Sequence, residues 1–216
     1  MSGHSPTRRR VILGAAALTA LPWSVLTAEA KLLDPTPADA EGPFYPVEIP
    51  DDSDNDLLRI SGREQAARGQ LTYLHGRVLD REGQHIDGAR VEIWQCDHDG
   101  VYHHPGDAGT PDANFQGFGA MVTDREGAYH FRTLRPVPYT GRTPHVHFRV
   151  TAPGFDRLTT QLYVAEEAER NRADFLYQRH GAAEQARITA QFQPVGSAGP
   201  GAGPGPLAAR FDIVLA

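Results

Sequence analysis

Residues 71–94 read L-T-Y-L-H-G-R-V-L-D-R-E-G-Q-H-I-D-G-A-R-V-E-I-W, and this stretch decides the fold. Thr72 to Leu79 is rich in strand-forming residues, and Asp80-Arg81-Glu82-Gly83 is a turn. Ala89 to Gln95 alternates, with Val91 and Ile93 on one face and Arg90, Glu92 and Trp94 on the other. The same signals recur outward along the chain. Ala120–Thr123, Ala128–Thr133, Pro144–Thr151 and Leu158–Val164 read as strands, with Asp124–Gly127 a turn and Phe211–Leu215 a terminal strand. Short strands punctuated by turns predict an all-β protein, an antiparallel β-sandwich with long loops. There is no βαβ alternation to call for a parallel sheet. One short helical segment is expected within Ala165–His180, rich in Ala, Glu and Arg. Ser197–Pro206 is a Gly-Pro-Ala tract that packs no core and reads as a flexible excursion.

Composition narrows the chemistry. The 216 residues hold 22 Gly and 17 Pro, which fits a turn-rich chain. The net charge of −6 argues against nucleic acid as a partner. A single cysteine, Cys96, excludes an internal disulfide framework and any multi-cysteine metal site, and outside the cytoplasm it must be buried or paired. Ten histidines are many for this length.

The chain divides into three parts. Residues 1–30 combine T-R-R-R-V-I-L, a short apolar run interrupted by Pro22, and Ala28-Glu29-Ala30. That is a twin-arginine-type signal peptide, too short for a membrane span of ~20 residues. It implies export to the periplasm or beyond, with no membrane span left after cleavage. Residues 31–70 read as an extended arm. Within it, Glu41-Gly42-Pro43-Phe44-Tyr45-Pro46 cannot form a helix and is expected to pack across the domain, with Phe44 and Tyr45 near a substrate mouth. The run Asp51–Asp56 reads as a solvated loop. Residues 71–216 form the β-sandwich domain.

His145-Val146-His147 lies in a strand, so both imidazoles point to one face and can reach one metal ion. No carboxylate lies within two residues of either, so the ferrous H-x-D/E motif is absent. Tyr139 sits upstream in L-R-P-V-P-Y-T-G-R, and Tyr102 follows the turn Asp97-His98-Asp99-Gly100. If tyrosinates complete the set, the site is hard and anionic and favours Fe(III). A zinc or copper site that recruits His103 or His104 is the competing metal reading.

Several blocks together resemble the intradiol ring-cleavage dioxygenases. They are E-G-P-F-Y-P at 41–46, G-R-V-L-D at 76–80, V-E-I-W-Q-C-D-H-D-G-V-Y at 91–102 and R-P-V-P-Y-T-G-R-T-P-H-V-H-F at 135–148. T-Q-L-Y-V at 160–164 and F-D-I-V-L at 211–215 complete the set, and the block at 135–148 is the most specific. The resemblance implies a mononuclear non-haem Fe(III) held by Tyr102, Tyr139, His145 and His147. It implies that Arg142 stabilises negative charge on the substrate ring, that Gln161 lies beside the active site, and that Tyr139 takes up a substrate proton. The implied substrates are a small aromatic diol and O2, with the ring opened between the two hydroxylated carbons to a cis,cis-muconate-type product. The chain looks most like the single-domain, exported branch of that family. Which catechol it takes and its oligomeric state stay open. The rival reading is a non-catalytic transthyretin-like or carboxypeptidase-regulatory-like β-sandwich binding module, since 76–94 and 123–131 also fit that fold.

Overall fold

The computed structural model describes Met1, Gly3 and residues 31–196 and 204–216; the expected signal peptide and most of the Gly-Pro-Ala tract lie outside the described residues. Among the described residues ten strands follow in chain order: β1 (Leu71–Leu79), β2 (Arg90–Trp94), β3 (Phe118–Val122), β4 (Ala128–Leu134), β5 (His145–Thr151), β6 (Leu158–Val164), β7 (Thr189–Ala190), β8 (Gln193–Pro194), β9 (Leu207–Arg210) and β10 (Ile213–Val214). One sheet runs β3-β2-β5-β6-β7. In the other, β1 pairs with β4 on one side and with β9 and β10 on the other, and β8 joins β9. The sandwich is as the strand pattern predicts, but the sheets are mixed: β1–β9, β1–β10 and β6–β7 are parallel. The antiparallel expectation holds for the long pairs, whose register local alternation and turns encode. The parallel pairs join segments distant in sequence, which no local signal marks.

Apolar side chains of both sheets form the core, including Leu74, Val78, Val91, Ile93, Phe131, Phe148 and Ile213, all essentially inaccessible. Gly76 of β1 faces the start of the terminal strand region so closely that an added Cβ would lie 1.8 Å from the Phe211 carbonyl oxygen. Phe211 N–H donates to the His75 carbonyl at 2.9 Å, and Tyr129 Oη donates to the Phe211 carbonyl, so that backbone cannot retreat cheaply. Gly76→Ala is therefore expected to cost about 3 kcal/mol or more. A thermal melt checks this; a chain of this size should lose roughly 6–12 °C for 3 kcal/mol.

The expected helix over 165–180 is broken into pieces. A 3-10 turn (Ala165–Glu167) leads into α1 (Ala168–Ala173); a second 3-10 turn spans Tyr177–Arg179, and α2 covers Ala182–Arg187. The break falls at Asp174, whose backbone is extended (φ −77°, ψ 125°). Its carboxylate accepts the Leu176 and Tyr177 N–H groups, at 3.0 and 3.1 Å, and so starts the next turn instead of continuing the first.

The arm, residues 31–70, contains no helix or strand and runs across the sandwich, held by backbone bonds to Arg81, Val214, Thr159, Ala120 and Arg132. It changes the fate of β2. Val91 and Ile93 face the core as expected, but Glu92 and Trp94 on the opposite face are buried too. Tyr45 covers them: its ring meets Trp94 edge-on at 5.1 Å and its hydroxyl donates to Glu92 at 3.3 Å. Arg149 lies over the Tyr45 ring at 3.5 Å and pairs with Glu41. The Asp51–Asp56 run is structural: Asp52 holds Ser61, Asp54 accepts the Asp56 N–H, and Asp56 pairs with Arg132. No helix among the described residues is long and apolar enough to cross a membrane.

Candidate metal centre

β5 lies between β2 and β6; Val146, Phe148 and Val150 face the core, and His145 and His147 share the opposite face, flanked by both neighbouring strands. His145 and His147 are each 1% exposed. Opposite them in register stand Tyr163 and Gln161 of β6 on one side, and Trp94 of β2 faces His147 on the other. The Trp94 and His147 rings stack at 4.8 Å, tilted by only 6°. His145 Nδ1 lies 2.7 Å from the Thr143 carbonyl oxygen. A carbonyl can only accept, so Nδ1 carries the proton and the Nε2 lone pair is left free. Burial, reinforced by the Arg142 charge, pushes His145 down to about 3. Burial, then the neighbouring His145 and Arg142, drives His147 down as well. Both rings are therefore neutral near pH 7, the form that ligates a metal. Their Nε2 atoms face each other at 3.1 Å, and His147 Nδ1 has no hydrogen-bond partner among the described residues.

Two tyrosines close on this pair. Tyr102 follows the turn after β2, which Asp97 organises by accepting the N–H groups of Asp99, Val101 and Asp112 at 2.9, 3.0 and 2.7 Å. Gly100 in that turn has φ +81° and approaches the Pro138 carbonyl of the loop that carries Tyr139. Only glycine fits such a position without strain. Tyr139 is positioned by its own short turn, in which the Arg142 N–H donates to its carbonyl at 2.8 Å. The rings lie together: Tyr102–Tyr139 5.2 Å, Tyr139–His145 5.5 Å, Tyr102–His147 6.2 Å and His145–His147 4.7 Å between centroids. Tyr102 Oη is buried and makes no hydrogen bond of ordinary geometry among the described residues. Without a cation, burial holds both phenols protonated by raising them above the usual tyrosine range.

These features test the fit of a metal. Tyr102 Oη has no hydrogen bond of ordinary geometry among the described residues, and the two Nε2 atoms have at most each other as partners, with one proton between them at 3.1 Å. A cation in place of that proton would engage all three atoms. The donors are N and O, with two ionisable phenols and no carboxylate among the four residues, which suits a hard trivalent ion such as Fe(III).

Arg142, half-buried overall with a side chain 8% exposed, is held on several sides. Its Nε donates to Asp174 at 2.8 Å, and one Nη donates to Gln161 Oε1 at 2.7 Å. The other Nη lies 3.4 Å from Tyr139 Oη. Burial alone would raise the Asp174 carboxyl. The Arg142 guanidinium and the N–H groups of Tyr177 and Thr143 outweigh that and hold it below the usual carboxylate range. Gln161 stands opposite His147 in register but makes no hydrogen bond to the four rings among the described residues; it bridges Arg142 to the arm, donating from Nε2 to the Ala40 carbonyl at 2.9 Å.

The arm also forms a wall. Phe44 stacks on Tyr102 at 4.5 Å and meets Tyr139 edge-on at 6.1 Å. A cavity of about 210 Å³ opens beside Tyr139, Arg142 and Asp174, and a second of about 100 Å³ lies beside Phe44 and Tyr102. Gly42 has φ +75°, and a Cβ there would sit 3.3 Å from His147 Cε1. Gly42→Ala is expected to displace His147 and weaken metal retention about tenfold. Iron per chain after dialysis against a graded chelator series checks this.

The structure thus places Tyr102, Tyr139, His145 and His147 together, with Arg142 beside Tyr139 and Gln161 one hydrogen bond further away. His103 and His104 do not join them. His103 Nε2 bonds to the Asp112 carbonyl at 3.0 Å, and His104 Nδ1 accepts the Gly106 N–H at 2.9 Å. One further group among the described residues has ligand-like spacing, Asp97–His98–Asp99. Its Asp97 is taken up by backbone N–H groups and its Asp99 by Arg68 at 2.6 Å. Cys96 is buried against the Val137 carbonyl, and burial pushes its thiol up to about 12, so it is inert. Sequence reading missed Asp174, Tyr163 and Asp39. The one available signal was a lone aspartate closing the Ala/Arg-rich stretch N-R-A-D at 171–174.

A family model described as "Dioxygenase" matches residues 40–216. A hydroxyquinol 1,2-dioxygenase of Nocardioides simplex is 31% identical over an alignment covering all of this chain and 77% of its own. A catechol 1,2-dioxygenase of Candida albicans is 33% identical over 65% of this chain and 51% of its own. Among solved structures, the dioxygenase domain of a dioxygenase–carbohydrate-binding protein fusion from Streptomyces sp. SirexAA-E superposes with a TM-score of 0.65. It shares 30% identity and covers 84% of this chain and 98% of its own. The chain spans about half the length of several of the curated relatives that it matches.

Proposed function

Because the chain belongs to the intradiol ring-cleavage dioxygenase family, we propose that it opens the ring of a catechol-type diol with O2 between the two hydroxylated carbons, at a mononuclear non-haem Fe(III). Tyr102, Tyr139, His145 and His147 would hold the iron. The observation that carries this is the buried Tyr102 Oη, with no hydrogen bond of ordinary geometry among the described residues, beside the facing Nε2 atoms of two neutral histidines. The non-catalytic binding-module reading is not favoured, since it gives no use to this convergence of two buried imidazoles and two tyrosine rings.

When bound, a ferric ion would supply Lewis acidity toward the diol and draw electron density from its ring. The residues do the rest. Tyr139 is the less buried phenol and neighbours Arg142, so it is the one able to swing away and take a proton from the diol at its Oη. Arg142, fixed by Asp174 and Gln161, presents a preorganised positive charge to the ring as negative charge develops there. Phe44 and Trp94 shield the Tyr102 and His147 sides from water. Residues 1–30 would export the folded, metal-loaded chain through a twin-arginine route, which suits small diffusible aromatics met outside the cytoplasm.

The test is O2 uptake by the iron-loaded protein with catechol, hydroxyquinol and protocatechuate, with products read by absorbance and mass. Uptake of one O2 per diol with a muconate-type product supports the reading; no uptake with any diol at full iron occupancy overturns it. Cell fractionation with and without residues 1–30 tests export, and activity confined to the cytoplasm would overturn that part.

A further inference from the structure

The hydrogen bonds of Arg142 continue past Gln161 into a buried network that the reaction above does not use. Tyr163 Oη lies 3.4 Å from Arg142 Nη2, 3.0 Å from Gln161 Oε1 and 2.9 Å from Asp39 Oδ2. The hydroxyl has one proton and two acceptors competing for it. A carboxylate is the stronger acceptor and here also the nearer, so the proton points to Asp39. Tyr163 then turns a lone pair toward the guanidinium. Gln161 is oriented in the same manner: its Nε2 donates to the Ala40 carbonyl, which leaves Oε1 facing Arg142. Both acceptors on Arg142 Nη2 are thus set by consecutive arm residues, Asp39 through Tyr163 and Ala40 through Gln161.

Asp39 is itself unusual. Its side chain is 5% exposed; Oδ1 accepts the Ala40 N–H at 2.7 Å, and the one ion-pair partner among the described residues is His180, with Nε2 at 3.4 Å. His180 in turn has Glu184 at 3.8 Å. If the arm only needed fastening here, other bonds already do it. Asp39 N–H donates to the Thr159 carbonyl at 2.8 Å, and Thr160 Oγ1 donates to the Pro37 carbonyl at 2.7 Å. A buried carboxylate is costly and adds little to that clasp.

We infer that Asp39 is a positioning residue for Arg142: by accepting the Tyr163 hydroxyl hydrogen bond it leaves a Tyr163 lone pair for the guanidinium and fixes the direction in which that charge meets the substrate. The inference rests on the role given to Arg142 above. In Asp39→Asn the acceptor is neutral, the Tyr163 hydroxyl is free to turn toward Gln161 Oε1, and Arg142 loses one of its partners.

The test compares Asp39→Asn, Tyr163→Phe, the double variant and Thr160→Val in the full-length, iron-loaded protein. The expected result is a kcat about tenfold lower in Asp39→Asn. Binding of 4-nitrocatechol, read by its visible spectrum, stays within threefold. Asp39 acts through Tyr163, so the double variant is no slower than Tyr163→Phe alone. Thr160→Val, which cuts only the clasp, keeps its kcat. A second readout needs no turnover: the Nε–H NMR signal of Arg142 in the full chain freed of paramagnetic metal, assigned by its loss in Arg142→Lys. Asp39→Asn and Tyr163→Phe should shift it alike. Additive losses in the double variant, or an unmoved Arg142 signal, would overturn the inference. An inactive wild type with a shifted Arg142 signal would count against the proposed reaction and leave the positioning role supported.

Discussion

Tyr102→Phe is expected to separate folding from metal chemistry with effects of opposite sign. The variant keeps the ring, its 4.5 Å stack on Phe44 and its packing near His147. It removes only Oη, a buried atom with no ordinary hydrogen bond among the described residues. The metal-free chain should therefore melt at the same temperature or higher, by up to about 1 kcal/mol, because an unsatisfied polar group has gone. The iron-loaded chain should lose at least about 100-fold in turnover, beyond the 10–100-fold typical of removing a group that merely supports a ligand. Calorimetry of the metal-free and loaded forms, with O2 uptake beside it, reads both effects. A parallel loss of stability in the metal-free form would mean that Tyr102 is a packing residue.

Arg142→Lys is the second large effect. Lysine keeps the charge but cannot span Asp174, Gln161 and Tyr139 together as the guanidinium fork does. Turnover should fall about 100-fold or more, the cost of removing one preorganised stabilising donor. Iron content should be unchanged. Stability should fall as well, since the Asp174 side chain is fully buried and its pairing is left imperfect, a loss of up to about 3 kcal/mol. Steady-state kinetics, metal analysis and a denaturant titration check the three parts. Unchanged kcat with intact iron would show that Arg142 serves only the loop.

The strands from Leu71 to Val164 were readable because alternation and Asp-x-x-Gly turns are local signals that agree with the final packing. The two-residue strands β7 and β8, and β9 with its small residues L-A-A-R, carry almost no local signal; distant partners create them. The helix break at Asp174 is partly long-range: one carboxylate oxygen caps Leu176 and Tyr177 locally, while the other is held by Arg142, 32 positions earlier. Burial of Glu92 and Trp94 depends on an arm some fifty residues upstream, beyond the reach of the β2 pattern. The four rings were visible through H-x-H and the motifs around Tyr102 and Tyr139. Asp39, Tyr163 and Asp174 were not, since their roles exist only through hydrogen bonds between segments that the fold brings together.

The central claim is that Tyr102 and Tyr139 ligate Fe(III) together with His145 and His147. The visible absorption spectrum of the iron-loaded protein, taken before and after anaerobic addition of catechol, tests it most directly. The account predicts a broad tyrosinate-to-ferric charge-transfer band that shifts to longer wavelength with catechol and is lost or strongly weakened in Tyr102→Phe. A colourless protein at full iron occupancy, or a band indifferent to Tyr102→Phe and Tyr139→Phe, would contradict it.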